Sequence, residues 1–247
     1  MMERARESGR RVRLAHDESG TSLLELMGAM VAGLIVLGAT LQSLLYFQQQ
    51  FASQQDRVNQ QQDLRLGLDL LEQELHLTDG ESLSIIMPNE VEFEANIHGL
   101  KTNVTAAAAI GQTTLLVEDG RGWPDRKVVR VCWKDRCEQF TLARAGQPNL
   151  LTLGEPIPRV IPAGAVVAVS NRVRYYSRID EKGVLRFLRQ VDGGASVLVG
   201  GIEGVRFSYW DEQGKVTALP VQVRRIVVEI AIPWRTLKAV REISLRM

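Results

Sequence analysis

The chain has 247 residues, 45% of them hydrophobic, and a formal net charge of +1 at pH 7. This length allows one or two domains with a buried core, and the near-neutral charge argues against a nucleic-acid partner. Two cysteines are too few for a disulfide framework, and their spacing does not fit a paired zinc knuckle. The histidines are scattered along the chain, so we expect no metal site and no cofactor; they are His16, His76 and His98.

A long uncharged segment follows a basic N-terminal leader. Residues 1–20 are polar, and the run from Leu23 to Phe47 is apolar and long enough to span a bilayer as a helix. No charged side chain occurs from Leu26 to Gln55. Because basic residues stay on the cytoplasmic side, we predict a single-pass protein with a cytoplasmic N-terminus and a head in the periplasm or outside. The basic residues of the leader are Arg4, Arg6, Arg10, Arg11 and Arg13.

One carboxylate, Glu25, lies at the edge of this apolar segment. A cleaved secretory signal is a poor explanation, because the run is too long and Leu37 stands where a cleavage site needs a small residue. A plain signal anchor leaves the carboxylate unexplained. A charged side chain at helix depth costs roughly 2.5–3.5 kcal/mol on insertion scales and needs a partner.

Residues 20–27 read GTSLLELM, and with the basic leader they resemble the prepilin signal of type IV pilins and type II secretion pseudopilins. The resemblance implies that a prepilin peptidase cleaves between Gly20 and Thr21 and that Thr21 is then N-methylated. The apolar run would stay as an anchor in inner-membrane lipid and later form filament core. Glu25, fifth in the mature chain, would pair with the amine of Thr21 in a neighbouring subunit, since a buried charge is tolerable only when paired.

Helical periodicity continues beyond the apolar run. The spacing i, i+4, i+7, i+11 predicts one helix from about Leu23 to Leu77, roughly 80 Å long, which stops at Thr78-Asp79-Gly80. We expect its leucine stripe to pack on the head, and the glutamine-rich segment 48–62 to be a solvated face or a filament contact. The acidic residues of the last turns are predicted to be solvated. The stripe is Leu64, Leu68, Leu71 and Leu75, and the acidic residues are Asp69, Glu72 and Glu74.

From Ser82 onward the sequence alternates between short strands and turns rich in Gly and Pro. Residues 103–170 are predicted to form a small antiparallel β subdomain inserted in the head. If residues 134 and 135 form a two-residue turn, Cys132 and Cys137 face each other with Cα atoms about 4.5 Å apart, within disulfide range. Reduced thiols or a shifted register are the alternatives. The strands predicted there are 114–117, 128–133, 137–142, 150–153 and 165–169.

A second resemblance to the same families lies in the order of strands in the last third of the chain. A Tyr-rich strand at 172–178 is followed by VLRFLR at 184–189, GIEGVRFSYW at 201–210 and VQVRRIVVEIAI at 221–232. This order resembles the C-terminal half of PilW-like minor pilins and of J-class pseudopilins. It implies an α+β, pilin-like fold in which a long N-terminal helix packs on an antiparallel β-sheet head. The domains would be a leader at 1–20, a helix at 21–78 (about 23–47 transmembrane) and a head at 79–247.

No catalytic motif is apparent, and we expect no enzymatic role. The four tryptophans, Trp123, Trp133, Trp210 and Trp234, are assigned to the core, with partner contacts as the alternative. The first hypothesis is a PilW-like minor pilin that primes or caps a type IV pilus. Its partners would be the prepilin peptidase, other minor and major pilins, and inner-membrane lipid before assembly. The alternatives are a J-class pseudopilin of a type II secretion system, which would partner other pseudopilins, and a signal-anchored periplasmic binding module.

Overall fold

The computed structural model describes residues 23–78, 82–134, 136–233 and 238–245. The chain divides into two compact units, residues 1–57 and residues 58–247. Helix α1 covers Leu23–His76, 54 residues in length. The predicted long helix is confirmed over these residues, and its predicted end at Leu77 is one residue too late. Gly20, Thr21, Asp79 and Gly80, which carry several of the sequence predictions, lie outside the described residues.

The head is built from antiparallel strands, as the sequence predicts. Most of the predicted strands lie within one or two residues of an observed one. Three short strands, at 83–87, 101–103 and 239–244, were not predicted. The bounds are β1 Leu83–Met87, β2 Glu90–Ala95, β3 Lys101–Asn103, β4 Thr114–Leu116, β5 Val128–Trp133, β6 Arg136–Thr141, β7 Leu150–Thr152, β8 Val166–Ile179, β9 Leu185–Val191, β10 Gly194–Gly200, β11 Gly204–Trp210, β12 Arg225–Ala231 and β13 Ala239–Ser244.

The first hydrophobic core lies against the second half of α1. The predicted leucine stripe is confirmed, since its four members are at most 6% exposed and join one buried cluster. Strands β1, β2, β8, β9 and β10 contribute one side of this cluster, and the three-stranded sheet β11-β12-β13 contributes the other. A chain of aromatic contacts crosses it, formed by Phe93, Tyr175, Phe187, Phe207 and Tyr209.

Strand β8 connects this core to a second one. The predicted separation into two strands, 165–169 and 172–178, is wrong, because β8 runs unbroken over 14 residues. Its first part pairs with β3 and β5, and its second part pairs with β2 and β9. Ser170 and Asn171 suggest a break in the sequence, yet both are buried and their side chains donate hydrogen bonds to Glu94 and Asp192. These bonds satisfy the polar groups inside the strand.

The inserted subdomain is a closed ring of six strands in the order β8, β5, β6, β7, β4, β3 and back to β8. Strand pairing supplies four of the six contacts. Two isolated bridges, Leu142 with Leu153 and Val104 with Val117, supply the others. We call this ring the barrel. It encloses its own hydrophobic cluster, and closure removes most of the sheet edges that an open sheet would expose.

The β5–β6 hairpin carries the cysteine pair. Cys132 lies opposite Cys137 in the register, and the two form a disulfide with Cα atoms 4.1 Å apart. Trp133 pairs with Arg136, which leaves a two-residue turn of which Lys134 adopts a φ of 53°. A positive φ at a non-glycine residue matches the left-handed turn that closes tight hairpins. Asp135 lies outside the described residues.

Candidate functional site

The first part of α1, residues 23–57, exposes an apolar surface that no described residue buries. Among residues 23–57 none is buried, and large side chains such as Leu24 and Phe47 are 80% and 69% exposed. This is the one helix among the described residues that is long and apolar enough to cross a membrane. A continuous surface of this kind is stable only against lipid or against other apolar helices.

Glu25 lies in the first turn of α1, where the helix dipole favours a negative charge. It is the single charged side chain between Leu23 and Gln55. Within the part of the chain that the structure describes, no cation pairs with it. Thr21, whose amine is the predicted partner in another subunit, lies outside that part, as does Gly20. The carboxylate therefore needs a partner that this chain does not supply from its described residues.

The opposite end of α1 is held by a buried ion pair. The Nε–H of Arg189 on β9 is shared between the two oxygens of the Glu74 carboxylate, at 3.0 and 2.9 Å, and Nη2 donates a further hydrogen bond to the same group. The Tyr175 hydroxyl donates to the same carboxylate at 2.6 Å. The prediction that Glu74 is solvated is wrong, because only 5% of its side chain is exposed.

The electrostatics of this cluster follow from its burial. The hydrogen bonds to Glu74 raise the pKa of the Arg189 guanidinium, so Arg189 stays charged. Burial raises the pKa of the Tyr175 hydroxyl, and the neighbouring Glu74 charge adds to that effect. Tyr175 therefore remains a neutral donor. The three groups form a satisfied network that fixes the rotation of α1 about its axis.

Three weaker contacts hold the preceding turns of the helix. Arg241 on β13 bridges Asp69 and Glu72, whose side chains are 41% and 32% exposed, so the prediction that these two are solvated holds only in part. Gln60 donates 2.8 and 2.9 Å hydrogen bonds to the backbone carbonyls of residues 200 and 201, so this part of the glutamine-rich segment binds the head. At Gly67 the helix comes close to β10, since a Cβ at this position would lie 3.3 Å from the Cβ of Leu198.

A polar crevice lies where the barrel joins the first core. Its carboxylates are engaged: Glu94 accepts hydrogen bonds from Gln139 and Ser170, and Asp192 accepts one of 2.5 Å from Lys127. Burial acts to raise the pKa of the Asp192 carboxyl, but the bonds from Lys127, Asn171 and a backbone N–H outweigh it and lower the pKa. These contacts stabilise the junction. Throughout residues 23–78, 82–134, 136–233 and 238–245 no three His, Cys, Asp or Glu side chains group as metal ligands.

The tryptophans differ in their surroundings. Trp123 is buried in the barrel core, as predicted, while Trp133 packs on the edge of that core and is partly exposed. Trp210 is partly buried with the Arg225 guanidinium 5.0 Å above its ring. Trp234 lies outside the described residues.

Comparison of this chain with protein-family models, with curated proteins and with solved structures finds no match. Its function is therefore inferred from its own residues. Sequence reasoning found Glu25 because a lone carboxylate in an apolar run is conspicuous. It missed Glu74, whose partner Arg189 is 115 residues away, and the only signal available was that Glu74 directly precedes Leu75 of the buried stripe.

Proposed function

We propose that this chain is a membrane-tethered subunit of a helical filament, a PilW-like minor pilin that primes or caps a type IV pilus. In this proposal a prepilin peptidase first cleaves between Gly20 and Thr21. The observation that carries it is the exposed apolar surface of α1 over residues 23–57, with Glu25 in the first turn and no partner for that carboxylate among the described residues. In this proposal the chain carries out no catalytic step.

The chemistry of Glu25 supports assembly over simple anchoring. In lipid the carboxylate costs roughly 2.5–3.5 kcal/mol, and it remains costly for as long as it lacks a cation. The amine of a neighbouring Thr21 at about 4 Å would return on the order of 4 kcal/mol at an effective dielectric of 20. The pair also sets the axial register between subunits, because a shift of one helical turn separates the two charges by about 5.4 Å.

The contacts between the head and the helix support the same proposal. The leucine stripe and the Glu74–Arg189 pair fix residues 64–75 of α1 to the first core. A helix that is to leave lipid and enter a filament needs such an attachment, because any force on the head must reach the helix without unfolding it. The barrel and its disulfide lie apart from this attachment and present a separate surface.

The proposal is tested by replacing Glu25 and measuring incorporation into sheared filaments. Glu25→Ala and Glu25→Gln should be processed normally but should be about tenfold or more depleted from filaments, since an unpaired buried charge costs about 3–5 kcal/mol. Gln42→Ala, an uncharged change in the same run, is the matched control and should incorporate normally. Wild-type incorporation of both Glu25 variants would refute the pairing role. Filaments that never contain the wild-type chain would favour a signal-anchored binding module.

A further inference from the structure

Strand β8 changes its partners on both edges at the same point. Up to Ser170 it pairs with β3 and β5 of the barrel, and from Asn171 onward it pairs with β2 and β9 of the first core. Among the described strands β8 is the one that both bodies share. A bend of β8 between Ser170 and Asn171 would therefore break no other pairing of strands.

The barrel and the first core are separate bodies on either side of this point. Their hydrophobic clusters have no residue in common. The chain passes between them at residues 96–100 and again at residues 170–171. These two connections lie side by side, because the N–H of Val169 donates a 3.1 Å hydrogen bond to the carbonyl of Leu100. Two adjacent connections between independent cores have the form of a hinge.

Polar side chains hold the two bodies together away from the hinge. Each bond has its donor on the barrel and its acceptor on the first core. The bonds join Lys127 to Asp192 at 2.5 Å, Gln139 to Glu94 at 2.6 Å and Arg130 to Ser82 at 3.4 Å. The Lys127 and Asp192 side chains are 26% and 27% exposed, so water can replace their contact at low cost.

The polar crevice gives the barrel room to move. Its volume is about 490 Å³, and both bodies line it, the barrel with Val128 and Gln139 and the first core with Arg172 and Gln190. Ser170, at the hinge, lies in the same lining. Since this space lies on one face of the junction, the barrel can rotate toward that face before the two bodies collide.

We propose that the barrel is a hinged module that rotates as one body about Ser170 and Asn171. The bonds from Lys127 and Gln139 set how much of the time it is closed. Two conformations of this kind usually keep the minor one populated at about 0.1–10%. The rotation changes the direction that the barrel faces while residues 64–75 of α1 stay fixed to the first core. This inference does not depend on the filament proposal.

The test is a distance measurement by pulsed electron paramagnetic resonance between two spin labels on the full-length chain in detergent. The barrel label is Val160→Cys, at a site that is 54% exposed and beside Trp133. Trp133 is five residues along β5 from Val128, which pairs with Ser170 at the hinge. The label therefore lies about 16 Å from the hinge, and a rotation of about 20° moves it by about 6 Å.

The second label is Val197→Cys on β10, a site that is 46% exposed. Val197 pairs with Leu188, which is two residues from Gln190 of the crevice and so on the same face of the sheet. Rotation toward or away from the crevice therefore changes the distance between the labels. The native cysteines are bonded to each other and take no label under non-reducing conditions.

Removing the two stronger bonds from the barrel side should release the hinge. Lys127→Ala together with Gln139→Ala should shift or broaden the distance distribution by about 5 Å or more relative to the wild-type chain, because the open conformation becomes a major one. The matched control is Lys238→Ala together with Gln222→Ala. Their side chains bond within the first core, so the distribution should stay as in the wild type.

A label pair within the barrel separates rotation from loosening of the barrel itself. Val160→Cys with Leu116→Cys, which is 50% exposed on β4, should give the same distance with and without the two alanine substitutions. The proposal is overturned if the distance from Val160 to Val197 is unchanged by Lys127→Ala with Gln139→Ala. Equal broadening of the distance within the barrel would overturn it too, because the barrel would not be moving as one body.

Discussion

Replacing Glu74 by Ala removes the carboxylate through which α1 is tied to the sheet. The change leaves the Arg189 guanidinium, 21% exposed, without its ion-pair partner and the fully buried Tyr175 hydroxyl without an acceptor. Removing one member of a buried pair costs about 3–5 kcal/mol. Because Arg189 keeps some contact with water, we expect the lower end of that range, about 3 kcal/mol.

The assay is thermal denaturation of the full-length chain in detergent, followed by tryptophan fluorescence. For a protein of this size about 3 kcal/mol corresponds to a fall in Tm of roughly 6–12 °C. Asp69→Ala is the matched control on the same helix, because its partner Arg241 is 36% exposed and the Asp69 side chain 41%. Such partly exposed pairs contribute only about 0–1 kcal/mol.

The result that would refute this reasoning is an equal loss of stability in Glu74→Ala and Asp69→Ala. A further variant separates charge from packing. Replacing all three members by apolar residues, as Glu74→Leu with Arg189→Leu and Tyr175→Phe, leaves no orphaned polar group and should recover most of the loss. If the triple variant is no more stable than Glu74→Ala, shape rather than charge balance dominates at this site.

Three other changes have defined outcomes. Gly67→Leu should cost about 1–3 kcal/mol, because a Cβ at this position lies 3.3 Å from the Cβ of Leu198; thermal unfolding measures it. Replacing Cys132 and Cys137 together by Ser should cost about 2 kcal/mol, since the closed loop is short, and near-ultraviolet circular dichroism should show the barrel still folded. Asp192→Asn should flatten the acid limb of stability: its lowered pKa contributes stability above the unfolded value of about 3.9, which is lost as the pH falls through the folded value.

Each of these has its own control. Gly33→Leu introduces the same side chain where nothing lies within 4 Å and should leave the unfolding of the head unchanged. Wild-type chain treated with a dithiol should reproduce the loss seen in the double Ser variant, and a difference between the two would point to the substitutions themselves. If Asp192→Asn follows the wild-type stability profile below pH 4, the hydrogen bonds to that carboxylate do not stabilise the junction.

Local patterns allowed much of the fold to be predicted. The helix from Leu23 and its leucine stripe follow from the 3.6-residue period, which local sequence expresses directly. The facing cysteines follow from a two-residue turn and the period of a strand. Each of these features depends on residues close together in the sequence.

What escaped prediction depends on distant partners. Glu74 looks like any helical glutamate until Arg189 is placed beside it, 115 residues later. The polar pair Ser170-Asn171 suggested a break in β8, and only its hydrogen bonds to Glu94 and Asp192 show why the strand continues. Ring closure of the barrel depends on two isolated bridges, which the periodicity of the sequence does not predict. Glu25 was found because its unusual position, rather than any contact, distinguishes it.

The central claim is that Thr21 and Glu25 build a filament after processing, and the mature N-terminus tests it most directly. Mass spectrometry of the chain from membranes with an active prepilin peptidase should show a protein that begins at Thr21 and carries one additional methyl group on its amine. Gly20→Ala should abolish that species and accumulate the precursor. An intact terminus at Met1 or Met2 in the wild-type chain under the same conditions would contradict the account.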